Sequence, residues 1–111
     1  MAKYTDEEKM NIASEIIKQM GGHKMVVMTG ARNILATDSG VQFSFPGCKK
    51  ANKIVIDYTD MDLYTMKFYK VGRLNKKTFD IPVIKVSEHE NLYHDMLKEV
   101  FEKETGLYTS L

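Results

Sequence analysis

The residues best suited to metal chemistry lie in the run His89-Glu90-Asn91-Leu92-Tyr93-His94. This run resembles the zinc-protease pattern H-E-x-x-H with one residue added. On a regular helix, residues five apart diverge by about 140°, so His89 and His94 cannot hold one ion. Glu90 and His94 do share a helix face and could hold a metal weakly. A solvated helix start explains the run better, and we predict no metal ligands.

The second candidate for chemistry is Cys48, which lies between Pro46-Gly47 and Lys49-Lys50. Two neighbouring ammonium groups favour a thiolate, the form in which cysteine acts as a nucleophile. The nearest upstream histidine is His23, and no spacing rule brings it to Cys48. A loop cysteine is therefore favoured over a catalytic dyad. A single cysteine also excludes an internal disulfide and a multi-cysteine zinc site.

The acidic residues and glycines give no stronger evidence for a chemical site than Cys48 does. Asp57, Asp60 and Asp62 surround a predicted hairpin turn. Their carboxylates could bind a divalent cation, but aspartates at turns more often accept hydrogen bonds from the local backbone. Gly30 stands alone, without the spacing of a phosphate-binding loop. Because no catalytic constellation and no cofactor motif is present, we expect a protein that binds and does not catalyse, with no cofactor.

The elements that must position these residues begin with a helix. Thr5 and Glu8 form a capping box, apolar residues recur at helical spacing up to Met20, and Gly21-Gly22 end the helix. Strand patterns follow. The apolar run 25–28 and residues 33–36, separated by a break at Gly30, are predicted as the strands of a first hairpin before a turn at 37–40.

Residues 41–45, 53–58 and 64–69 alternate between apolar and polar side chains, which predicts strands with one buried face. A polar loop at 72–77 leads to Phe79, Ile81 and Val83, predicted as an edge strand because Pro82 lacks an N–H.

A final helix is predicted from a cap at Ser87 with Glu90, or at Asn91, to a left-handed terminator at Gly106. Its apolar face contains Leu92, Tyr93, Met96, Leu97, Val100 and Phe101. The order is helix, antiparallel sheet of five or six strands, helix, with both helices on one face. The predicted fold class is α+β, in a single domain of residues 1–111.

Charge is distributed unevenly along the chain. Residues 24–85 contain eleven Lys or Arg and five Asp or Glu, whereas the two flanks together contain five and ten. Basic residues of this middle segment fall on the loops and the open face of the predicted sheet, with a tyrosine among them. Cations neutralise phosphates and tyrosine stacks on bases, although exposed lysines also keep sheet edges soluble. The candidate binding residues are Lys49, Lys50, Lys53, Lys67, Tyr69, Lys70 and Arg73, with Lys76 and Lys77 beside them.

Three segments carry a resemblance to known proteins: MTGARN at 28–33, KIVI at 53–56 continuing to MDLYTMKF at 61–68, and the tail TGLYTSL at 105–111. In these the chain resembles a group of small, functionally uncharacterised proteins carried by bacteriophages and other bacterial mobile elements. The resemblance implies a bacterial or phage setting and transfers no catalytic residues.

Function is predicted from these observations together. The chain has no apolar run long enough for a membrane helix and no secretory signal at its start, so we expect a cytoplasmic protein without membrane contact. The prediction is a non-catalytic accessory protein of a phage or mobile element that binds a host or phage macromolecule, in the first place a protein, and blocks a host activity. The alternative is a single-stranded nucleic-acid-binding protein that uses the basic open face. The sequence does not determine the oligomeric state.

Overall fold

The computed structural model describes residues 4–59 and 61–107. In this part of the chain the elements, in order, are α1 (Asp6–Met20), α2 (His23–Thr29), β1 (Arg32–Ala36), β2 (Gly40–Ser44), β3 (Lys53–Tyr58), β4 (Tyr64–Val71), β5 (Val83–Leu92) and, after one 3₁₀ turn at His94–Met96, α3 (Leu97–Thr105). The predicted α+β class is confirmed.

Capping residues at its two ends determine where helix α1 begins and ends. The Glu8 N–H donates to Thr5 Oγ1 at 3.2 Å, and the Thr5 N–H donates to Glu8 Oε1 at 3.0 Å, so the capping box is complete. Gly21 closes the helix at φ 123°. Ile16 and Met20 are fully buried on its inner face, and the predicted helix is confirmed.

The sheet is a meander in which each strand pairs antiparallel with the next, in the order β1-β2-β3-β4-β5. Two-residue alternation gives it a buried and an open face. The buried face is formed by side chains of β2, β3 and β4, namely Val41, Phe43, Ile54, Ile56, Tyr64, Met66 and Phe68. These are the residues predicted to point inward.

Helix α3 closes the core over the same face as α1. The Phe101 ring lies 5.2 Å from that of Phe45 and 6.3 Å from those of Phe43 and Phe68, measured between ring centroids. Gly106 ends the helix in the left-handed region at φ 74°, and Leu107 then packs against the core. No helix within residues 4–59 and 61–107 is long and apolar enough to cross a membrane.

The prediction of a strand at 25–28 is wrong, because these residues lie in α2. Met25 and Thr29, four positions apart, are buried on one side of a helical turn, and Thr29 Oγ1 donates to the Met25 carbonyl at 2.7 Å. Gly22 and Gly30, both at positive φ, bound the helix. A short apolar run fits a strand or a helix equally, and here the glycines on either side close a helix.

The predicted start of the last helix is also wrong. Residues up to Leu92 belong to β5, because they pair with β4 along a backbone ladder that two register shifts interrupt, with Lys67 opposite Glu88 and Tyr64 opposite Leu92. Leu92 is buried in the sheet, whereas Tyr93, predicted on the inner helix face, is 62% exposed. Tertiary pairing here outweighs a helical pattern of apolar residues.

Strand β5 lies at the edge of the sheet, as Pro82 predicts, but it starts at Val83 and extends further than expected. Phe79 and Ile81 precede it and are exposed.

Candidate interaction surfaces

The open face of the sheet places Tyr69 between two lysines. Tyr69 is directly opposite Lys53 on β3 and opposite Lys85 on β5, so the three side chains form one row across the strands. Tyr69 was predicted among lysines adjacent in sequence, and the sheet register supplies two others from neighbouring strands. A half-buried ring flanked by two cations is an arrangement on which a base can stack.

The next positions on this face carry charges of both signs. Lys67 Nζ lies 3.9 Å from an oxygen of Asp57. Lys85 pairs with Glu88, and this hydrogen bond is the main cause that lowers the pKa of Glu88 and raises that of Lys85. Glu90 in its protonated form donates a hydrogen bond to the Glu88 carboxylate, and this bond raises the pKa of Glu90. The open face therefore has far less net positive charge than its lysines alone suggest.

Lys50 lies on the other side of the sheet, under α3. Its Nζ donates to Glu104 Oε1 at 2.8 Å, and Ser87 of β5 donates to the same oxygen. His89 Nε2 lies 3.5 Å from the second carboxylate oxygen, and the His89 ring meets Phe68 edge-on at 5.9 Å.

The Glu104 side chain is only 13% exposed, and the hydrogen bond from Lys50, followed by that from Ser87, lowers its pKa. Lys50 thus balances a nearly buried carboxylate, which makes it part of the fold.

Lys53 and Lys70 line an open cleft of about 830 Å³ together with Arg32. The cleft lies beside a bulge in β1, where the register with β2 shifts between Arg32 and Leu35 and Asn33 adopts φ 56°. Ser44 and Cys48 also border it. Arg32 was not among the predicted residues. Strand register places it near Lys53, because Arg32 pairs with Ser44 and Ser44 pairs with Lys53.

Arg73 lies on a third surface, the projecting β4–β5 arm, which we define as residues 72–84. Beyond β3 only β4 and β5 continue to pair, through Lys70 with Ile84 and Val71 with Val83. Exposed large apolar side chains cover the arm: Leu74, Phe79, Ile81, Val83 and Ile84.

The alternation of Phe79, Ile81 and Val83 predicts a strand and does not by itself reveal this surface. The sequence signal for it is the pair Lys76 and Lys77 beside these apolar residues.

The candidate chemical motifs do not assemble into a centre. His89 and Glu90 are successive residues of β5, while His94 lies beyond it in the 3₁₀ turn. Cys48 is half-buried and packs against the core. Among the side chains that the structure describes, no group of three or more His, Cys, Asp and Glu lies close enough to hold a metal ion.

Two of the three aspartates predicted at the turn, Asp57 and Asp62, serve separate local contacts. Asp57 accepts a hydrogen bond from Ser39 at 3.1 Å, and Asp62 accepts one from Tyr58. Asp60 lies outside the described residues, as do the last four residues of the tail that carries the resemblance.

Comparisons of the chain with protein-family models, with curated proteins and with solved structures found no match. The phage or mobile-element origin that the resemblance implies therefore stays a prediction, and the proposals below rest on the geometry of the described residues.

Proposed function

We propose that this protein is a non-catalytic binding protein of a phage or mobile element that captures a bacterial host protein through the β4–β5 arm and so inhibits it. The observation that carries the proposal is the exposure of Phe79, of which 78% is open to solvent, among four further exposed apolar side chains. Large apolar side chains exposed together on one short segment are typical of an interaction site.

The arm is held in a defined conformation. Across its base the Gly72 N–H donates to the Pro82 carbonyl at 2.8 Å, and near its tip the Asn75 N–H donates to the Asp80 carbonyl at 2.8 Å. The Phe79 N–H closes the turn on the Asn75 carbonyl at 2.6 Å. Because these bonds fix the backbone of the arm in advance, the arm would lose little backbone entropy when it binds a partner.

Phe79 is also in an unfavourable backbone conformation. Its φ is 60°, in the left-handed region that costs a residue with a Cβ about 1–2 kcal/mol. An exposed ring recovers none of this cost by burial within the chain. Strained residues that the surrounding structure retains concentrate at ligand-binding positions, and burial of the ring in a partner would supply the missing contact.

The charge of the arm defines the partner. It carries Arg73, Lys76 and Lys77 against Asp80 alone. Among residues 4–59 and 61–107, none of these three cations forms an ion pair. The complementary surface is an apolar groove on a protein, bordered by aspartate and glutamate.

Site-specific cross-linking tests this proposal. A photoreactive benzoylphenylalanine replaces Phe79 in one variant and Met10, exposed on α1, in a control variant. Both are irradiated in bacterial lysate with and without prior nuclease treatment. We expect one adduct from position 79 alone, suppressed by excess unmodified protein and not by the Phe79→Asn variant. Asparagine accepts positive φ readily, so this variant keeps the fold and should melt no lower than the wild type.

Three results would reject capture by the arm: equal adducts from both positions, no adduct at all, or an adduct with the mass of two copies of this chain. Loss of the adduct on nuclease treatment would favour the alternative function.

That alternative is single-stranded nucleic-acid binding on the open face, favoured by one observation, the row of Lys53, Tyr69 and Lys85. It ranks second because Lys85 and the adjacent Lys67 are paired with carboxylates of the same face.

A further inference from the structure

We propose that the cleft beside the β1 bulge is a binding site for a phosphate-bearing anion. Its borders include Arg32, Lys53 and Lys70, which come from three different strands. The site is separate from the arm and does not depend on the function proposed for it.

The three cations are available to a ligand. In the part of the chain that the structure describes, Arg32, Lys53 and Lys70 take part in no ion pair, whereas Lys9, Lys50, Lys67 and Lys85 each do. Positive charges that share one cleft without counter-charges raise the local concentration of anions. The cleft shares Lys53 with the open face, but no aspartate or glutamate is among the residues that line it, whereas Lys67 and Lys85 on that face are paired with carboxylates.

The polar groups at the cleft match a phosphate better than an apolar ligand. Arg32 offers a planar fork of N–H donors that fits two phosphate oxygens, while Lys53 and Lys70 act as mobile point charges. Gln42 and Ser44 add neutral donors on the β2 side. Of the apolar residues at the cleft, Phe43 and Phe45 are each 1% exposed, whereas Leu35 is 56% exposed and offers apolar surface beside the polar groups.

The size and charge of the cleft set the class of ligand. A volume of about 830 Å³ lies within the range of small-molecule sites. Three cations favour a ligand with more than one negative charge, such as a diphosphate or a nucleotide. A phosphate of a nucleic-acid backbone presents the same chemistry, and the test separates the two sources.

Cys48 provides a built-in reporter, since it borders the cleft and is the only cysteine of the chain. Its rate of reaction with uncharged N-ethylmaleimide is measured at constant ionic strength with pyrophosphate, adenosine monophosphate or a short oligothymidylate. At a concentration about ten times the Kd, a ligand that covers the cleft should slow the reaction about tenfold.

Variants locate the effect. Arg32→Gln and Lys53→Gln should each raise the concentration needed for protection about tenfold or more, since each removes a charge-assisted hydrogen bond. Lys18→Gln, on the exposed side of α1, is the matched control and should protect like the wild type. Protection is expressed relative to each variant's own unliganded rate, because removing a cation also changes the reactivity of the thiol.

Protection by pyrophosphate or the mononucleotide would assign the site to a small phosphate compound, and protection by the oligonucleotide alone to a nucleic-acid backbone. The site is disproved if none of the three probes slows the reaction, if sodium chloride slows it equally, or if Arg32→Gln and Lys53→Gln are protected like the wild type.

Discussion

Lys50 and Glu104 lie 54 positions apart in the chain and form a hydrogen-bonded ion pair with 2.8 Å between Nζ and Oε1. The pair connects the loop after β2 to the last turn of α3. Because the carboxylate is nearly buried and Ser87 donates to it as well, its negative charge is supported from two elements of the fold.

This arrangement predicts how stability depends on pH. Glu104 has a folded-state pKa below the ordinary 4.5, so its charged form stabilises the fold above that pH, and the contribution is lost as the pH falls through the folded pKa. Glu104→Gln should lower the free energy of unfolding by about 1–2 kcal/mol at pH 7. The difference from the wild type should shrink below about pH 4.5.

Urea denaturation of the wild type and the variant at pH 7 and below about pH 4.5 measures the difference in the free energy of unfolding under both conditions. Glu99→Gln, on the exposed side of α3, serves as the control. If the free energy of unfolding of Glu104→Gln stayed below that of the wild type by the same amount across this pH range, the role given to the carboxylate charge would be contradicted.

Two neighbouring residues of α3 should differ in their contribution to stability. Phe101 is fully buried against three phenylalanine rings, whereas Val100 is half-buried at the margin of the core. Phe101→Ala should cost about 3–5 kcal/mol, and Val100→Ala about 1 kcal/mol or less. Chemical denaturation distinguishes the two, and equal losses would show that the helix is rotated from the position described.

Gly40 is required by close backbone approach. A Cβ at this position would lie 1.8 Å from the carbonyl oxygen of Ile56 on the paired strand. Gly40→Ala should destabilise the protein by at least about 1–3 kcal/mol, because the β2–β3 backbone must separate.

Gly106→Ala is the comparison, since its Cβ meets nothing within 4 Å and only the positive φ opposes it, at about 1 kcal/mol. Thermal denaturation of both variants checks the order, and a Gly40→Ala variant as stable as the wild type would contradict the register of β2 and β3.

Nucleic-acid binding by the open face has a distinct signature. Single-stranded oligonucleotides should bind with a log–log salt slope of about −0.7 for each phosphate neutralised, and Tyr69→Ala should cost about 1–3 kcal/mol. Tyr93→Ala, which removes an exposed tyrosine on a different segment, is the control for fluorescence anisotropy at low salt. Binding that follows salt but ignores the Tyr69 substitution would indicate nonspecific attraction to lysines.

Local interactions determined the features of this protein that the sequence predicts correctly. The capping box at Thr5 and Glu8, the terminator at Gly106 and the alternation in β2, β3 and β4 each depend on residues a few positions apart. The same alternation placed Lys53, Lys67 and Tyr69 on one open face, because side chains two apart in a strand point the same way.

Tertiary structure decided the rest. The run at 25–28 and the run around Leu92 are each compatible with a helix or a strand, and the choice depended on whether a neighbouring strand offered backbone partners. Pairing also determined which charges meet. Lys50 was indistinguishable from Lys53 in the sequence, yet one balances Glu104 beneath α3 and the other borders the cleft with Arg32. Local sequence does not determine which of these charged side chains come close together, because they meet only when the strands and α3 pack around the core.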